Sequence, residues 1–187
     1  MFKNLKQEDF GNQSAAKSSV VRGIKSSVLD SFPRLDNVID EIIPKKDPML
    51  LVKGKGDFAF FTFAIVNNEV LFYQAGKDDP WLPTLRILHK YPSMMPKMQV
   101  DQGAIKFVLR GANVMAPGLT SAGGAVEKGI QKGAPVQITA EGCNHACAIG
   151  LMSMTSEELE AKPAGQAIES VHSIGDGLWK LEKVYKE

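Results

Sequence analysis

The sequence predicts two consecutive domains, an α+β N-terminal domain over residues 1–93 and a mainly β, barrel-like domain over residues 94–187. Helix and strand patterns are mixed in the first half, whereas several short strand-like runs follow one early helix in the second half. Pro92 and Pro96 bracket a short segment between the two patterns, as is typical of a domain boundary. The 187 residues are 44% hydrophobic, which is enough to give each half its own core.

Two helices are predicted near the start of the chain. Ser14 can cap the first, and Pro33 ends it. Residues 35–43 predict a second, short amphipathic helix that stops before Pro44. The apolar positions of the first helix recur with the spacing of one helix face: Val21, Ile24, Val28 and Phe32.

Strands are predicted over residues 49–52, 58–66 and 69–74, which are rich in Phe, Val and Ile. Asn67-Asn68 fits a two-residue hairpin turn between the last two strands. A short helix within residues 80–92, with proline near its start and just past its end, closes the first domain.

The second domain is predicted to open with a helix over residues 102–110, capped by Asp101 and ended by Gly111. An apolar stripe of Ile105, Val108 and Leu109 should face the core. The strand-like runs that follow cover residues 136–140, 145–152, 167–171 and 178–181.

The overall composition argues against several classes of protein. No apolar run approaches the roughly 20 residues of a membrane helix. The first 19 residues lack an apolar signal core, and two cysteines are too few for a disulfide-stapled secreted module. We therefore expect a cytoplasmic protein with no membrane partner.

Positive charge is local rather than global. The formal net charge is +1, which does not by itself predict nucleic-acid binding. Residues 86–110, however, contain five cationic side chains against Asp101 alone, which is a local excess of +4: Arg86, Lys90, Lys97, Lys106 and Arg110.

Three segments in the second half together resemble a PUA domain, the module named for pseudouridine synthase and archaeosine transglycosylase. They cover residues 100–119 (VDQGAIKFVLRGANVMAPGL), 148–155 and 171–179, in the order and spacing of that domain. In the first half, residues 43–48 (IPKKDP) and 83–92 (PTLRILHKYP) resemble the malignant T-cell-amplified sequence family.

This resemblance implies a pre-PUA domain followed by a PUA domain, in a non-catalytic translation factor. It implies that the chain works with density-regulated protein on the small ribosomal subunit, in reinitiation and in recycling that releases deacylated tRNA. The implied partners are rRNA of that subunit, density-regulated protein in a heterodimer and, as a further candidate, tRNA.

An RNA site is expected at the opening of the second domain. RNA recognition needs fixed cations and close backbone approach, and Gly103, Gly111 and Gly118 would permit that approach. Asn113 can both donate and accept hydrogen bonds.

Lys106 and Arg110 lie four residues apart on one predicted helix side. Arg86, Lys90 and Lys97 add to the predicted RNA-binding charge. The alternative is that the helix side is merely solvated and that the glycines only terminate and turn.

Phe72, Tyr73 and Trp81 are candidates for an exposed anchor that binds a protein partner, because aromatic residues are common in interface hot spots. Core packing is the alternative for Phe72. Trp81 is the best candidate for exposure because it follows Asp78-Asp79-Pro80.

No catalytic, metal or cofactor site is predicted. Cys143 and Cys147 would lie ~13 Å apart on an extended strand, and a structural zinc site needs four ligands. We expect one or both to be buried or in a turn. His172, Asp176 and Trp179 should instead tie the last strands to the barrel, with Trp179 in the core.

Two other functions remain open. PUA modules also accompany RNA-modifying enzymes, but an N-terminal half of 93 residues is too small for those catalytic domains. The other alternative is a protein-interaction adaptor that has the PUA fold without RNA contact.

Overall fold

The computed structural model describes residues 1–185, with one β-sheet in each half of the chain. The first half contains, in chain order, β1 (Phe10–Ala15), α1 (Ser18–Ser31), α2 (Ile39–Ile42), β2 (Met49–Gly54), β3 (Thr62–Val66), β4 (Glu69–Gln74), β5 (Leu82–Pro83) and α3 (Leu85–Lys90). The second half contains β6 (Lys97–Val100), α4 (Gln102–Val108), β7 (Val114–Met115), α5 (Pro117–Thr120), β8 (Ala125–Val126), β9 (Pro135–Ala140), β10 (Ala146–Met152), α6 (Ser156–Ala161), β11 (Gln166–Ser173) and α7 (Gly177–Lys180).

The five strands of the first half form an antiparallel sheet in the order β1-β2-β3-β4-β5. Asn67 and Asn68 connect β3 to β4 with φ values of 50° and 67°, which is the left-handed geometry of a tight hairpin turn. The predicted hairpin is therefore confirmed. The helices and this sheet make the first half α+β, as predicted.

The first strand is a feature that the sequence did not predict. Ser14 lies in β1 rather than at a helix N-terminus, and α1 begins only at Ser18, after Lys17, whose side chain provides no cap. Residues 12–15 are exposed and show no apolar alternation, so that only pairing with β2 makes them a strand. Ile24 and Val28 are buried, and α1 ends at Ser31 with Phe32 as its C-cap, just before the predicted stop at Pro33.

Several elements predicted in the first half are longer than the observed helices and strands. A 3₁₀ turn at Pro33–Leu35 precedes a four-residue α2, in place of one helix over 35–43. The strand predicted over 58–66 begins at Thr62, because Gly56–Phe58 forms another 3₁₀ turn. The helix predicted within 80–92 is α3, preceded by a short pairing of β5 with β4.

The second half is built on a six-stranded sheet in the order β7-β11-β10-β9-β6-β8. Strands β6 and β9 are parallel, and the other neighbours are antiparallel. This is the mainly β architecture that was predicted. The strand predicted over 178–181 is instead α7, because the Asp176 carboxylate caps a helix by accepting the Trp179 N–H at 2.8 Å.

The two halves share one hydrophobic core, which contains residues from both sheets. Helix α3 lies against β10, and His89 Nε2 is 2.7 Å from the Ala146 carbonyl oxygen. The N-terminal segment packs at the same junction, where the Gly177 N–H donates to the Phe2 carbonyl oxygen at 2.8 Å. Phe2 is fully buried. Within residues 1–185, no helix has the length and apolar character needed to cross a membrane.

Candidate nucleic-acid interface

A groove of about 830 Å³ runs between α4, β7 and α5. The Phe107 ring and the Met115 side chain, which are 49% and 52% exposed, form part of its apolar wall. Gly103, Gly118 and Asn113, three of the predicted RNA-binding residues, also line this groove. Phe107 and Met115 were not among the predicted site residues.

Asp101 fixes the start of α4 at the edge of the groove. One carboxylate oxygen accepts the Ala104 N–H at 2.8 Å, and the other accepts a hydrogen bond from the Ser121 hydroxyl. These two bonds, with the Ser121 bond as the larger cause, hold the pKa of the Asp101 carboxyl below its ordinary value. The predicted cap is confirmed, and it holds α4 beside the segment that follows α5.

The glycines at this site have roles in the fold itself. Gly111 has φ +77° and lies in the turn after α4, where its N–H donates to the Val108 carbonyl oxygen at 2.9 Å, as the alternative interpretation of the glycines held. A Cβ on Gly118 would lie 3.1 Å from the Ala104 Cβ, so this glycine lets α5 pack closely against α4. A Cβ on Gly103 would approach the Asp101 carboxylate at 3.3 Å.

The Asn113 amide is largely occupied by protein contacts. Its Oδ1 accepts the Ser170 N–H at 2.9 Å, and its Nδ2 donates to Gln166 Oε1 at 2.8 Å. Asn113 thus ties β7 to β11, and one Nδ2 hydrogen remains available to a ligand.

Lys106 immediately precedes Phe107, which lines the groove, in α4. Its ammonium sits 5.1 Å from the centre of the Phe107 ring. An exposed aromatic ring with a cation beside it can stack a base and attract a phosphate. Leu109, which was predicted to face the core, is 46% exposed, whereas Val108 is buried and Ile105 is partly buried.

Arg110 does not share a helix side with Lys106. Helix α4 ends at Val108, and Arg110 belongs to the turn that follows, where its N–H donates to the Phe107 carbonyl oxygen at 3.1 Å. It lines a second cavity of about 360 Å³, at the junction of the two halves. The prediction that Lys106 and Arg110 lie together on one helix side is therefore wrong.

The other three predicted cations lie away from the groove. Arg86 Nη2 donates to the Trp179 carbonyl oxygen at 2.8 Å, and its guanidinium stands 4.9 Å from the centre of the Trp179 ring. Arg86 thus contacts α7 at the domain junction. Lys90 is exposed beside a different cavity in the first half, and Lys97 is exposed at the start of β6.

The predicted aromatic anchor is not exposed. Phe72 and Tyr73 are 0% and 1% exposed in β4, between β3 and β5, and Trp81 is 6% exposed. The acidic turn before Trp81 returns the chain to the sheet, which buries the indole in the core. These three side chains therefore cannot present a surface to a partner, whereas Phe60 is 60% exposed.

The two cysteines have the surroundings that were expected. Cys147 is buried in β10, where its Sγ donates to the Ile138 carbonyl oxygen at 3.3 Å, and burial raises the pKa of this thiol. Cys143 is exposed in the connection before β10. In the described part of the chain, no group of three or more His, Cys, Asp or Glu side chains could hold a metal ion.

Comparison with known families and sequences adds to this geometry. The Pre-PUA-like domain family matches residues 4–92, and the PUA domain family matches residues 96–174. Malignant T-cell-amplified sequence 1 of Danio rerio is 44% identical over 187 residues and is covered completely, as is this chain. Translation machinery-associated protein 20 of Saccharomyces cerevisiae is 44% identical over 183 residues, with 97% of this chain and 98% of the yeast protein covered.

Solved structures show the same fold at low sequence identity. A hypothetical protein of Pyrococcus horikoshii matches with a TM-score of 0.71 at 22% identity, over 91% of this chain and 99% of its own. A PUA domain protein of Aeropyrum pernix matches with a TM-score of 0.69 at 23% identity, over 91% of this chain and 90% of its own.

Proposed function

The chain belongs to the malignant T-cell-amplified sequence family of proteins with pre-PUA and PUA domains, and we propose that it is a non-catalytic, cytoplasmic translation factor that binds small-subunit rRNA. The yeast relative is called Translation machinery-associated protein 20, which supports a role in translation for this chain. The PUA groove is the surface through which this chain would contact RNA.

One observation carries the proposal. The exposed Phe107 ring forms a wall of an 830 Å³ groove, with the Lys106 ammonium 5.1 Å from the ring centre. An exposed ring in the wall of a groove offers a face on which an unstacked base can lie. Lys106 would then meet the phosphate backbone of the same RNA segment.

The histidine contacts support a non-catalytic role. His89 is bonded to the Ala146 carbonyl oxygen, and His172 is paired with Asp176 inside the protein. A general base must reach the reacting group, and these two side chains are committed to structural contacts.

The specific roles in translation rest on the resemblance to the family. We propose that the chain acts with density-regulated protein in translation reinitiation and in post-termination recycling that releases tRNA. Because Phe72, Tyr73 and Trp81 are buried, this partner would bind a different surface from the one that was predicted.

Co-sedimentation with purified small ribosomal subunits tests this function. The wild-type protein should sediment with the subunits, both alone and with density-regulated protein, and the Lys106→Ala/Phe107→Ala variant should lose the binding seen without the partner. Lys128→Ala, a change of another exposed lysine, is the matched control and should bind like the wild type. If the double variant binds as well as the control, RNA contact through this groove is refuted, and the adaptor function becomes the better explanation.

A further inference from the structure

The turn that ends α4 borders a second cavity, which we call the junction cavity. It has a volume of about 360 Å³ and lies between the two halves of the chain. Lys3 contributes to it from the N-terminal segment, Arg110 from the turn after α4, and Lys180 from α7. Three cationic side chains from distant parts of the sequence therefore meet at one concave site.

These cations are not neutralised within the described chain. In residues 1–185, neither Lys3, Arg110 nor Lys180 makes a side-chain hydrogen bond or an ion pair, and all three are exposed. By contrast, Lys25 is bonded to Asp40 at 2.6 Å. Cations that converge without a counter-ion create a positive potential that attracts an anion.

Within residues 1–185, Asp176 is the one carboxylate that lines the junction cavity, and both of its oxygens already accept hydrogen bonds from other groups. Asp176 Oδ2 lies 2.7 Å from His172 Nδ1 and accepts the Ser173 N–H at 2.9 Å, while Oδ1 accepts the Trp179 N–H at 2.8 Å. Both oxygens thus face inward, and Asp176 is only 7% exposed. Its oxygens are therefore engaged by other groups and form no ion pair with Lys3, Arg110 or Lys180.

We propose that the junction cavity binds a backbone phosphate of the same RNA strand whose base lies on Phe107. This inference rests on the proposed function of the groove. Phe107 lines the groove and Arg110 lines the junction cavity, three residues further along the chain. The Arg110 N–H donates to the Phe107 carbonyl oxygen at 3.1 Å, so the turn that follows α4 connects the groove directly to the junction cavity.

Neighbouring acidic groups limit how far the RNA extends. Lys3 and Lys180 also border an adjoining cavity that is lined by Glu8, Asp9 and Asp57. Lys6 lies 3.6 Å from Glu8, so part of the charge on that side is balanced within the protein. The remaining carboxylates repel phosphate, and the strand should therefore end its contacts at the junction cavity.

The dependence of affinity on salt concentration tests the inference. Each phosphate that a protein neutralises on a single strand contributes about 0.7 to the slope of log affinity against log salt. The variant Lys3→Ala/Arg110→Ala/Lys180→Ala should therefore bind a single-stranded oligouridylate more weakly than the wild type, with a slope reduced by about 0.7, the contribution of the one phosphate held in the cavity. Lys53→Ala/Lys128→Ala/Lys132→Ala removes three other exposed lysines and should leave the slope unchanged.

A charge-retaining variant separates loss of charge from loss of structure. Lys3→Arg/Arg110→Lys/Lys180→Arg should keep the wild-type slope, because counterion release depends on the number of charges that meet the phosphate and not on which side chain carries them. If the triple alanine variant keeps the wild-type slope while Phe107→Ala weakens binding, the junction cavity is refuted and the groove is retained. If neither variant changes RNA binding, the proposed function itself fails. If the triple alanine variant loses binding of a polyglutamate peptide but not of RNA, the site is for an acidic peptide and this inference is overturned.

Discussion

His172 Nδ1 lies 2.7 Å from Asp176 Oδ2, and both side chains are buried where β11 leads into α7. The His172 ring also meets the rings of Phe2 and Tyr73 edge-on, at 6.0 and 6.2 Å between centres. One polar pair thus joins the last strand to the N-terminal segment and to β4. This confirms that His172 and Asp176 anchor the last strand, although Trp179 is only partly buried.

Stability should depend on the ionisation of Asp176. Burial raises the pKa of its carboxyl, but the hydrogen bond and charge of His172, together with the N–H groups of Ser173 and Trp179, outweigh burial and lower this pKa below its ordinary value of 3.8. The stabilisation is therefore present above that ordinary value and is lost as the pH falls through the lowered pKa.

Urea unfolding over a range of acidic pH values measures this effect. Asp176→Asn, which cannot ionise, should be destabilised by about 3 kcal/mol near neutral pH, and the difference from the wild type should shrink as the solution becomes acidic. A difference that stays constant down to about pH 2.5 would show that the carboxylate charge does not stabilise the fold.

Gly177 should tolerate no side chain. A Cβ at this position would collide with the Leu5 carbonyl oxygen and would lie 2.7 Å from the Phe2 carbonyl oxygen. Gly177→Ala should therefore displace the N-terminal segment and lower the free energy of unfolding by roughly 1–3 kcal/mol. Thermal unfolding measures the loss, with Gly23→Ala as the control, since Gly23 in α1 has open space and no positive φ. Equal losses in the two variants would rule out the collision as the cause.

Arg86 should stabilise the junction rather than bind RNA. Arg86→Ala removes the hydrogen bond to the Trp179 carbonyl oxygen and the contact with its ring, so we expect a loss of about 1–2 kcal/mol in stability. Oligonucleotide affinity at a temperature where the variant is folded should equal that of the wild type. A weaker affinity with unchanged stability would restore Arg86 as an RNA-binding residue.

Local chemistry explains which features could be predicted from the sequence. The Asn67-Asn68 turn and the Asp101 cap depend on residues adjacent in the chain, and both are present in the structure. Strand β1 and helix α7 were missed because pairing with β2 and the Asp176 cap decide them, not apolar periodicity.

The binding surface was predicted less well than the fold. The four-residue spacing predicted that Lys106 and Arg110 share one helix side. Helix α4 instead ends at Val108, and Arg110 lies in the turn that follows and lines the junction cavity. Exposure of Phe107 and burial of Trp81 depend on which elements pack over them, and a single sequence does not reveal that packing.

The affinity of Phe107→Ala for a single-stranded oligonucleotide is the most direct test of the claim that the groove binds RNA. Loss of one base-stacking contact costs about 1–3 kcal/mol, so the dissociation constant should rise roughly 5- to 150-fold. Phe60→Ala, which removes another exposed phenyl ring from the other half of the chain, should bind like the wild type. An unchanged dissociation constant for Phe107→Ala, or an equal rise for Phe60→Ala, would contradict the account.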